Sequence, residues 1–580
     1  MSLYDGHLSI QGMDAGTDEL LLPRSLAALA INRTFRKGNK TRPLIREHKL
    51  TFDSQSTENA IAGGVLTGAK EYSPWRNLAP AGIAAHIHDR LVSFRTTGPA
   101  STHVKTLTEG ANNGRYMLSN FVQILDRMYW FSGNSDQRPI GWNGVEAPYV
   151  IEAGDDKMPT AFGGVAAHGR LILFTHENYL VISDHVASQN ISNTKGAESF
   201  IERQENTAEG SVPIPGSFGE IAWASTLRRS GGDGRGDVVV MCRNGAFTMD
   251  ITGARDTWAQ SGALSQILFE GSGGISPMAF TPANTDIWYL TDDGITSVRV
   301  ERSEREKAWG STVISREVSP FLNLTAPFMA PFATMAMFDR RLLTTVAPQR
   351  SVRPLGGVQW FSKGIVALDF DQVSTFSQRG SATWDGLWTG INPIQIVVSQ
   401  GRCFVFSHDD ERGIRLFELV KGYGDDLPLS GSKLIQSEYV SARIGQRLAV
   451  NEPPKLKKLN YAVVRIASVL GDVKIQVHYR TAESAEWAEM SALSSVASEP
   501  ELQIVPNTVD VIPSGMAFVT PSLKTPPKSD HFQFRVKIDG SAKVEELIVG
   551  FDLEDVKFTH RCSPIKIDTG VKPGYFDYSI

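Results

Sequence analysis

The feature that most constrains the fold is a recurring pair of short apolar strands joined by a two-residue turn. Seven copies occur, in residues 83–94, 121–131, 165–174, 238–249, 287–298, 335–343 and 396–406. The turns are of the Asp-Arg, Gly-Arg, Asn-Gly or Asp-Gly kind, and apolar or aromatic residues flank them on both sides. Each copy therefore predicts a β-hairpin.

The spacing of these hairpins suggests a β-propeller. Counted from turn residues 89, 126, 169, 244, 293, 339 and 401, the steps are 37, 43, 75, 49, 46 and 62 residues. A four-stranded propeller blade occupies roughly 40–50 residues, so the chain fits six to eight blades, with insertions or a missed blade in the long gaps. Since no WD or kelch consensus recurs, an open β-sandwich or several small β-domains is the alternative. The 52 glycines, 29 prolines and 21% of charged residues also favour an all-β chain.

The pattern changes near residue 436, where runs of strictly alternating polar and apolar residues begin. Examples are residues 473–479 and 532–538, and turns of the Gly-Asp and Asp-Gly kind join such runs. These features predict a separate β-sandwich. The predicted domains are residues 1–60, an N-terminal arm with a short helix at residues 25–32 and a basic hairpin; 61–435, the propeller; 436–560, the sandwich; and 561–580, a C-terminal arm.

Sequence motifs specific to familiar enzyme classes are absent from the chain. It has no Gly-x-Ser-x-Gly elbow, Walker loop or His-Glu-x-x-His. The three cysteines, Cys242, Cys403 and Cys562, are too far apart to predict a zinc site or a disulfide framework. We therefore predict no enzyme activity, no cofactor and no metal site.

Weaker candidate sites have ordinary structural explanations. His86, His88 and Asp89 could offer metal ligands, but a strand that ends in a turn is the better explanation. Residues 231–237 carry two carboxylates and an Arg-Gly-Asp tripeptide, yet they lack the staggered ligands of a calcium loop. The acidic groups at residues 292–293 and 409–411 lie in predicted turns, where carboxylates are normally solvated.

The strongest local charge feature is a basic segment near the N-terminus of a chain whose net charge is -5. Alternation from Ile31 predicts a strand, with residues 37–40 as its turn. The five cations of the segment could bind phosphates or the acidic edge of a partner, and a solvated hairpin is the alternative. They are Arg33, Arg36, Lys37, Lys40 and Arg42.

The same segment carries a resemblance to a known class of proteins. The stretch Gly12 to Gly16, the pair Leu22-Pro23, and the sequence Arg36-x-Gly38-x-Lys40-Thr41-Arg42-Pro43 resemble the opening of virion structural proteins from tailed bacteriophages. Residues 131–144, with Arg-Pro-Ile-Gly-Trp-Asn-Gly, are similar to a second element of these proteins. Residues 455–477 resemble their terminal β-domain.

This resemblance implies a nozzle or hub of a short phage tail, built as a homo-oligomeric ring that is expected to be sixfold. Such a ring would seat on adaptor or connector proteins and on other tail proteins. It would retain the packaged double-stranded DNA and let it pass without sequence specificity. The expected location is the virion tail, after assembly in the host cytoplasm, since the chain shows no export signal or membrane span.

A different functional class remains open from the sequence alone. The chain could be a receptor-binding or glycan-degrading tail protein that holds sugar in a propeller pocket. That alternative predicts exposed tryptophans and a pair of facing carboxylates. A stand-alone propeller from a host is a third possibility.

Overall fold

The N-terminal strands precede the propeller in sequence but do not form a separate arm. The computed structural model describes residues 3–74, 80–111, 118–186, 197–200, 211–227, 236–251, 266–283, 285–306, 313–323, 327–371, 384–422, 424–445, 455–492, 502–504, 515–521 and 527–555. The first strands are β1 (Leu3–Leu8), β2 (Gly12–Met13), β3 (Leu26–Ile31), β4 (Arg33–Thr34), β5 (Asn39–Thr41), β6 (Ile45–Glu47) and β7 (Lys49–Phe52).

The first four blades follow in chain order after helix α1 (Gln55–Gly63). Blade 1 contains β8 (Leu66–Tyr72), β9 (Gly82–Ile87), β10 (Arg90–Gly98) and β11 (Ser101–Glu109), with β7 on its outer edge. Blade 2 contains β12 (Asn120–Ile124), β13 (Arg127–Phe131), β14 (Ile140–Trp142) and β15 (Tyr149–Val150). Blade 3 contains β16 (Gly163–Ala167), β17 (Arg170–Phe174), β18 (Tyr179–Ile182) and β19 (Ser211–Pro213). Blade 4 contains β20 (Ile221–Thr226), β21 (Val238–Cys242), β22 (Gly245–Met249) and β23 (Gln266–Glu270).

Three further blades complete a seven-bladed β-propeller. Blade 5 contains β24 (Phe280–Ala283), β25 (Asp286–Leu290) and β26 (Ile295–Ser297), followed by helices α2 (Val298–Glu306) and α3 (Ser319–Asn323). Blade 6 contains β27 (Met335–Phe338), β28 (Arg341–Val352) and β29 (Val358–Asp369). Blade 7 contains β30 (Pro393–Ser399), β31 (Arg402–Asp409) and β32 (Gly413–Leu419). The predicted propeller is confirmed.

All seven predicted hairpins are present, one in each blade. They join the first two strands in blades 2, 3, 6 and 7, but the second and third strands in blades 1, 4 and 5. Because the hairpin joins different strands of the blade in different blades, the hairpins are unevenly spaced along the sequence. Several turns have two residues with positive φ, such as Asp339 (49°) and Arg340 (55°), which matches the twist of a tight hairpin.

Apolar cores fill the spaces between neighbouring blades. Strands β17 and β21 are buried along their whole length, as expected for strands covered on both faces. One core joins blades 3 and 4, another joins blades 2 and 3, and a third joins blades 1 and 7. The ring is closed by β6, which pairs with β32 as the outer strand of blade 7.

The C-terminal region forms one strongly curved sheet, nearly closed like a barrel, where a two-sheet sandwich was predicted. Its strands are β33 (Gln436–Ser441), β34 (Ile444–Gly445), β35 (Lys455–Thr481), β36 (Ala488–Ala492), β37 (Leu502–Ile504), β38 (Gly515–Pro521), β39 (Lys528–Ser529) and β40 (His531–Asp555). The 27-residue β35 and the 25-residue β40 pair along most of their length. Four register shifts bend this ribbon, which lets a single sheet curl around its own core.

The N-terminal segment belongs to this barrel-like sheet. Strands β1 and β5 pair with β40, and β3 pairs with β33. The short helix predicted at residues 25–32 is therefore wrong, because the pairing of Leu26–Ile31 with β33 overrides the helical propensity of its alanines and leucines. The predicted C-terminal arm, residues 561–580, lies outside the described residues.

Candidate functional site

The candidate site is the junction between the propeller and the barrel-like sheet. Residues 384–388 run through this junction. This segment takes the place of a fourth strand in blade 6, through bridges from Trp384 to Leu368 and from Trp388 to Ile365. Trp384 also bridges Met13 of the barrel-like sheet. Both tryptophans are buried, and the core of the barrel-like sheet continues to Trp384 and into blades 5 and 6. Backbone bridges and a shared core thus join the two units.

The basic hairpin predicted from the sequence forms part of this junction. Strands β4 and β5 pair through Arg33 with Thr41 and through Thr34 with Lys40. Lys37 and Gly38 have positive φ values of 57° and 106° in the turn between them. The predicted hairpin is therefore confirmed, with its turn about two residues earlier than expected.

Arg36 extends from this hairpin to blade 6. Its Nε and Nη2 donate hydrogen bonds of 2.9 and 2.6 Å to the two carboxylate oxygens of Asp369. Its Nη1 donates to Asp339 at 3.0 Å. The Asp369 side chain is fully buried and that of Arg36 is 13% exposed, so this bidentate pair lies in the geometry that makes Arg–carboxylate contacts strong.

Asp385 is the centre of the junction. Its carboxylate accepts hydrogen bonds from Thr34 Oγ1 (2.8 Å), the Phe35 backbone N–H (2.8 Å) and Arg341 Nε (2.9 Å). Arg341 also donates to Thr34 and to Asp339. Complete burial raises the pKa of Asp385, and Arg341 opposes that effect. One carboxylate thereby connects the N-terminal hairpin with blade 6.

The two other arginines of the hairpin are also used within the chain. Arg42 donates to both carboxylate oxygens of Asp426, at 2.9 and 2.7 Å. Arg33 is fully buried and donates to Asn39, to Thr41 and to Ser437. Its burial lowers the pKa to about 10.

The five predicted cations therefore form two groups: the arginines bind partners within the chain, and the lysines lie at the surface. Arg33, Arg36 and Arg42 form internal hydrogen bonds and ion pairs, so they are not placed to bind a phosphate or a partner. Lys37 is exposed, and Lys40 is partly exposed beside Lys543 of β40. Sequence reasoning missed Lys543, which lies about 500 residues away and whose pairing with β5 leaves no local signal.

The histidines singled out in the sequence are not arranged as metal ligands. The buried His86 contacts the hydroxyl groups of Thr67 (2.6 Å) and Ser119 (3.2 Å) through Nδ1, and the Ala111 carbonyl oxygen through Nε2. Its burial lowers the pKa to about 4. His88 lies in the hairpin turn with φ 60°, so the ordinary explanation of this motif fits its geometry.

The acidic candidates lie in turns, at the end of a strand beside a turn, or outside the described residues. Asp409 pairs with Arg415 at 3.0 Å, and Asp410 contacts His408 at 2.9 Å. Asp292 forms an exposed pair with Arg243 at 3.2 Å. Residues 231–235 of the candidate calcium loop, 231–237, lie outside the described residues. Within the described parts of the chain, no group of three or more His, Cys, Asp or Glu side chains could hold a metal ion.

The blades also surround a central cavity of about 1020 Å³, which is open to solvent and lined by the innermost strands of the blades. Aromatic residues contribute to its wall, including Trp223, which stacks on Phe280 with ring centroids 4.6 Å apart. Lys70 projects into the cavity and donates to the Phe121 carbonyl oxygen at 2.9 Å. Lys70 is exposed to the solvent of the cavity, and partial desolvation by the neighbouring blades lowers its pKa. The cavity has the size of a small-molecule pocket.

A second charge network lies at the seam where the ring closes. Glu418 of blade 7 accepts two hydrogen bonds of 2.7 Å from Arg402, and its carboxylate also contacts His48 at 3.2 Å. His48 in turn contacts Thr102 of blade 1 at 2.9 Å. Burial alone would raise the pKa of Glu418, but the hydrogen bonds from Arg402 and His48 outweigh it and lower the pKa to about 2.

This shift predicts an acid-sensitive seam. A carboxylate whose pKa falls on folding contributes stability above its unfolded value, near 4.5, and loses it as the pH falls towards 2. The contribution is roughly 3 kcal/mol. We expect Glu418→Gln to have a lower free energy of unfolding than wild type at neutral pH. In urea titrations, its free energy of unfolding should fall less than that of wild type between about pH 5 and about pH 3. Glu411→Gln, at an exposed position, is the control; equal acid sensitivity of Glu418→Gln and wild type would contradict this role.

No protein-family model matches the chain, and no curated protein matches it. Among solved structures, one described as "YCF48 bound to D1 peptide" is similar over 62% of this chain and 93% of its own, with a TM-score of 0.33 and 10% identity. Another, "BBS1N in complex with ARL6DN", is similar over 40% of this chain and 61% of its own, with a TM-score of 0.26 and 13% identity. At these TM-scores neither similarity bears on the fold or on the function. Among the described residues, no helix is long and apolar enough to cross a membrane.

Proposed function

We propose that the chain is a structural subunit of a bacteriophage tail, a nozzle or hub, that assembles into a ring around the DNA channel. One observation carries the structural part of this proposal: the propeller and the barrel-like sheet share backbone bridges, a core and buried Arg–Asp pairs around Asp385. A subunit that retains a packaged genome must transmit force between its parts without hinging. The tail assignment itself comes from the sequence resemblance of residues 12–43, 131–144 and 455–477.

The DNA channel of this proposal is formed between subunits. The cavity inside one propeller, about 1020 Å³ and walled by side chains, suits a small molecule or water. Several copies arranged around an axis would leave the wider opening that a duplex needs, and heterologous contacts of this kind close into rings. In this function the subunit holds and releases DNA mechanically and catalyses no reaction.

The central cavity also supports a second candidate, a glycan-binding tail protein. Its aromatic lining is the observation in favour. However, the tryptophans among the described residues are buried or half-buried, whereas this candidate predicted exposed ones. Binding of host surface glycans by the purified protein, lost on replacing Lys70 or Phe280, would favour it over the ring.

Light scattering tests the proposed function. We expect the purified chain, or the chain mixed with candidate connector proteins, to form a species of about six times its mass of 63.5 kDa. A stable trimer would favour a receptor-binding tail protein. A monomer that never assembles would contradict the ring.

A further inference from the structure

The central cavity of the propeller contains a lysine that forms no ion pair with the described residues. Lys70 of β8 is exposed to the cavity, and its ammonium group donates to the Phe121 carbonyl oxygen of blade 2 at 2.9 Å. The other cation of the cavity lining, Arg243, pairs with Asp292 at 3.2 Å. Because an ammonium group has three N–H donors, Lys70 keeps donors for solvent or for a ligand.

Two carboxylates also line the cavity, but neither neutralises Lys70. Glu71 accepts a hydrogen bond from the Gln400 backbone N–H of blade 7 at 2.9 Å. Since side chains alternate along a strand, Glu71 leaves β8 on the opposite face from Lys70. Glu220 is exposed just before β20 in blade 4. Desolvation is the only cause that lowers the pKa of Lys70, so no charged group acts as its counter-ion.

A second donor without a partner lies in the wall of the cavity. Trp223 is 2% exposed, and its indole N–H has no acceptor among the described residues. This N–H lies against Gly274, where an added methyl group would be 2.6 Å from Nε1. Gly274 itself lines the cavity. A buried N–H without an acceptor costs stability, and the space beside Gly274 is where an acceptor can enter.

The rest of the wall suits an apolar molecule. Phe280 stacks on Trp223 with ring centroids 4.6 Å apart, and both rings border the cavity. Phe162, Met278 and Phe332 add half-buried apolar surface. An apolar lining with a few polar groups is typical of small-molecule sites. The volume of about 1020 Å³ leaves room for such a ligand.

The chemistry of this lining defines the class of ligand. We propose that the central cavity binds a small amphipathic organic acid, with its anionic group held by Lys70 and its apolar body packed against Trp223 and Phe280. A charged acceptor suits an ammonium donor best. A neutral sugar would leave Lys70 without a counter-ion, so this ligand differs from the glycan of the second candidate function. The inference goes beyond the proposed ring, because the cavity belongs to a single propeller.

The experiment compares two fluorescent probes that share one aromatic frame. Anilinonaphthalene sulfonate is an anion, and phenylnaphthylamine is the same frame without the sulfonate. Both probes are titrated against the purified full chain. Lys70→Met removes the charge and Lys70→Arg keeps it, whereas the control Lys105→Met removes an exposed charge from β11 on the outer side of the same blade. Phe280→Leu alters the aromatic wall. Circular dichroism and thermal unfolding establish that every variant folds.

We expect wild type, Lys70→Arg and Lys105→Met to bind the sulfonate with similar affinities. Lys70→Met should bind it about tenfold more weakly and should bind the neutral probe as wild type does. Phe280→Leu should weaken the binding of both probes. The site would be overturned if wild type did not bind the sulfonate, if Lys70→Met lost both probes equally, or if Lys70→Met and Lys105→Met bound the sulfonate equally. Ring assembly is measured separately by light scattering, so the two proposals can fail independently.

Discussion

Replacement of Asp385 by alanine is expected to lower the free energy of unfolding by about 3–5 kcal/mol. The change removes three hydrogen-bond acceptor contacts and leaves the buried Arg341 and the Phe35 backbone N–H without this partner. The cost is large because a buried charged pair loses one member, and Arg341 keeps only the partly exposed Asp339 as a charged partner. Urea unfolding followed by tryptophan fluorescence measures the effect, since Trp384 and Trp388 flank the site.

The control for this prediction is Asp292→Ala. Asp292 also pairs with an arginine, Arg243, but the side chains of the pair are 60% and 40% exposed. Exposed pairs of this kind contribute about 0–1 kcal/mol. If the two alanine variants unfolded at the same urea concentration, the junction would not stabilise the fold through Asp385.

Gly413→Ala is expected to destabilise the seam between blades 1 and 7 by about 2–5 kcal/mol. Gly413 has a φ of 84°, where a side chain is strained. An added methyl group would also lie 2.4 Å from the Ala62 carbonyl oxygen and 2.5 Å from that of Ile61, at the end of α1. Because both obstacles are backbone atoms of a helix, neither can move aside cheaply.

Gly401→Ala is the matched control for this second prediction. Gly401 has a similar φ of 73°, but no atom lies within 4 Å of the added methyl group. Gly401→Ala should lower the free energy of unfolding only through backbone strain, by about 1–2 kcal/mol. Equal thermal midpoints for the two variants would mean that α1 does not pack against β32 as described.

The sequence predicted the repeating part of the fold well, because the signal there is local. Alternating apolar residues and a turn such as Asp339-Arg340 specify a hairpin without reference to the rest of the chain. The closing strand β6 escaped prediction, since Ile45–Glu47 pairs with Phe417–Leu419 more than 350 residues away. The barrel-like sheet escaped for the same reason: alternation identifies strands but not which strands pair.

The candidate site shows a second limit of sequence reasoning. Arg36 and Lys37 are adjacent, and both contribute to the same basic segment. Arg36 points to Asp369, a partner 333 positions away, whereas Lys37 is exposed. A run of cations therefore indicates charge but cannot say which members are already neutralised. Residue type was the usable clue, because arginine is suited to buried bidentate pairs.

Electron microscopy of the assembled species tests the central claim, a ring-forming tail subunit, most directly. Class averages of the chain with connector proteins should show a closed ring, expected to be sixfold, with an axial opening and with each subunit as one body of propeller and barrel-like sheet. Open filaments, trimers without an axial opening, or single copies scattered around the connector would contradict the account.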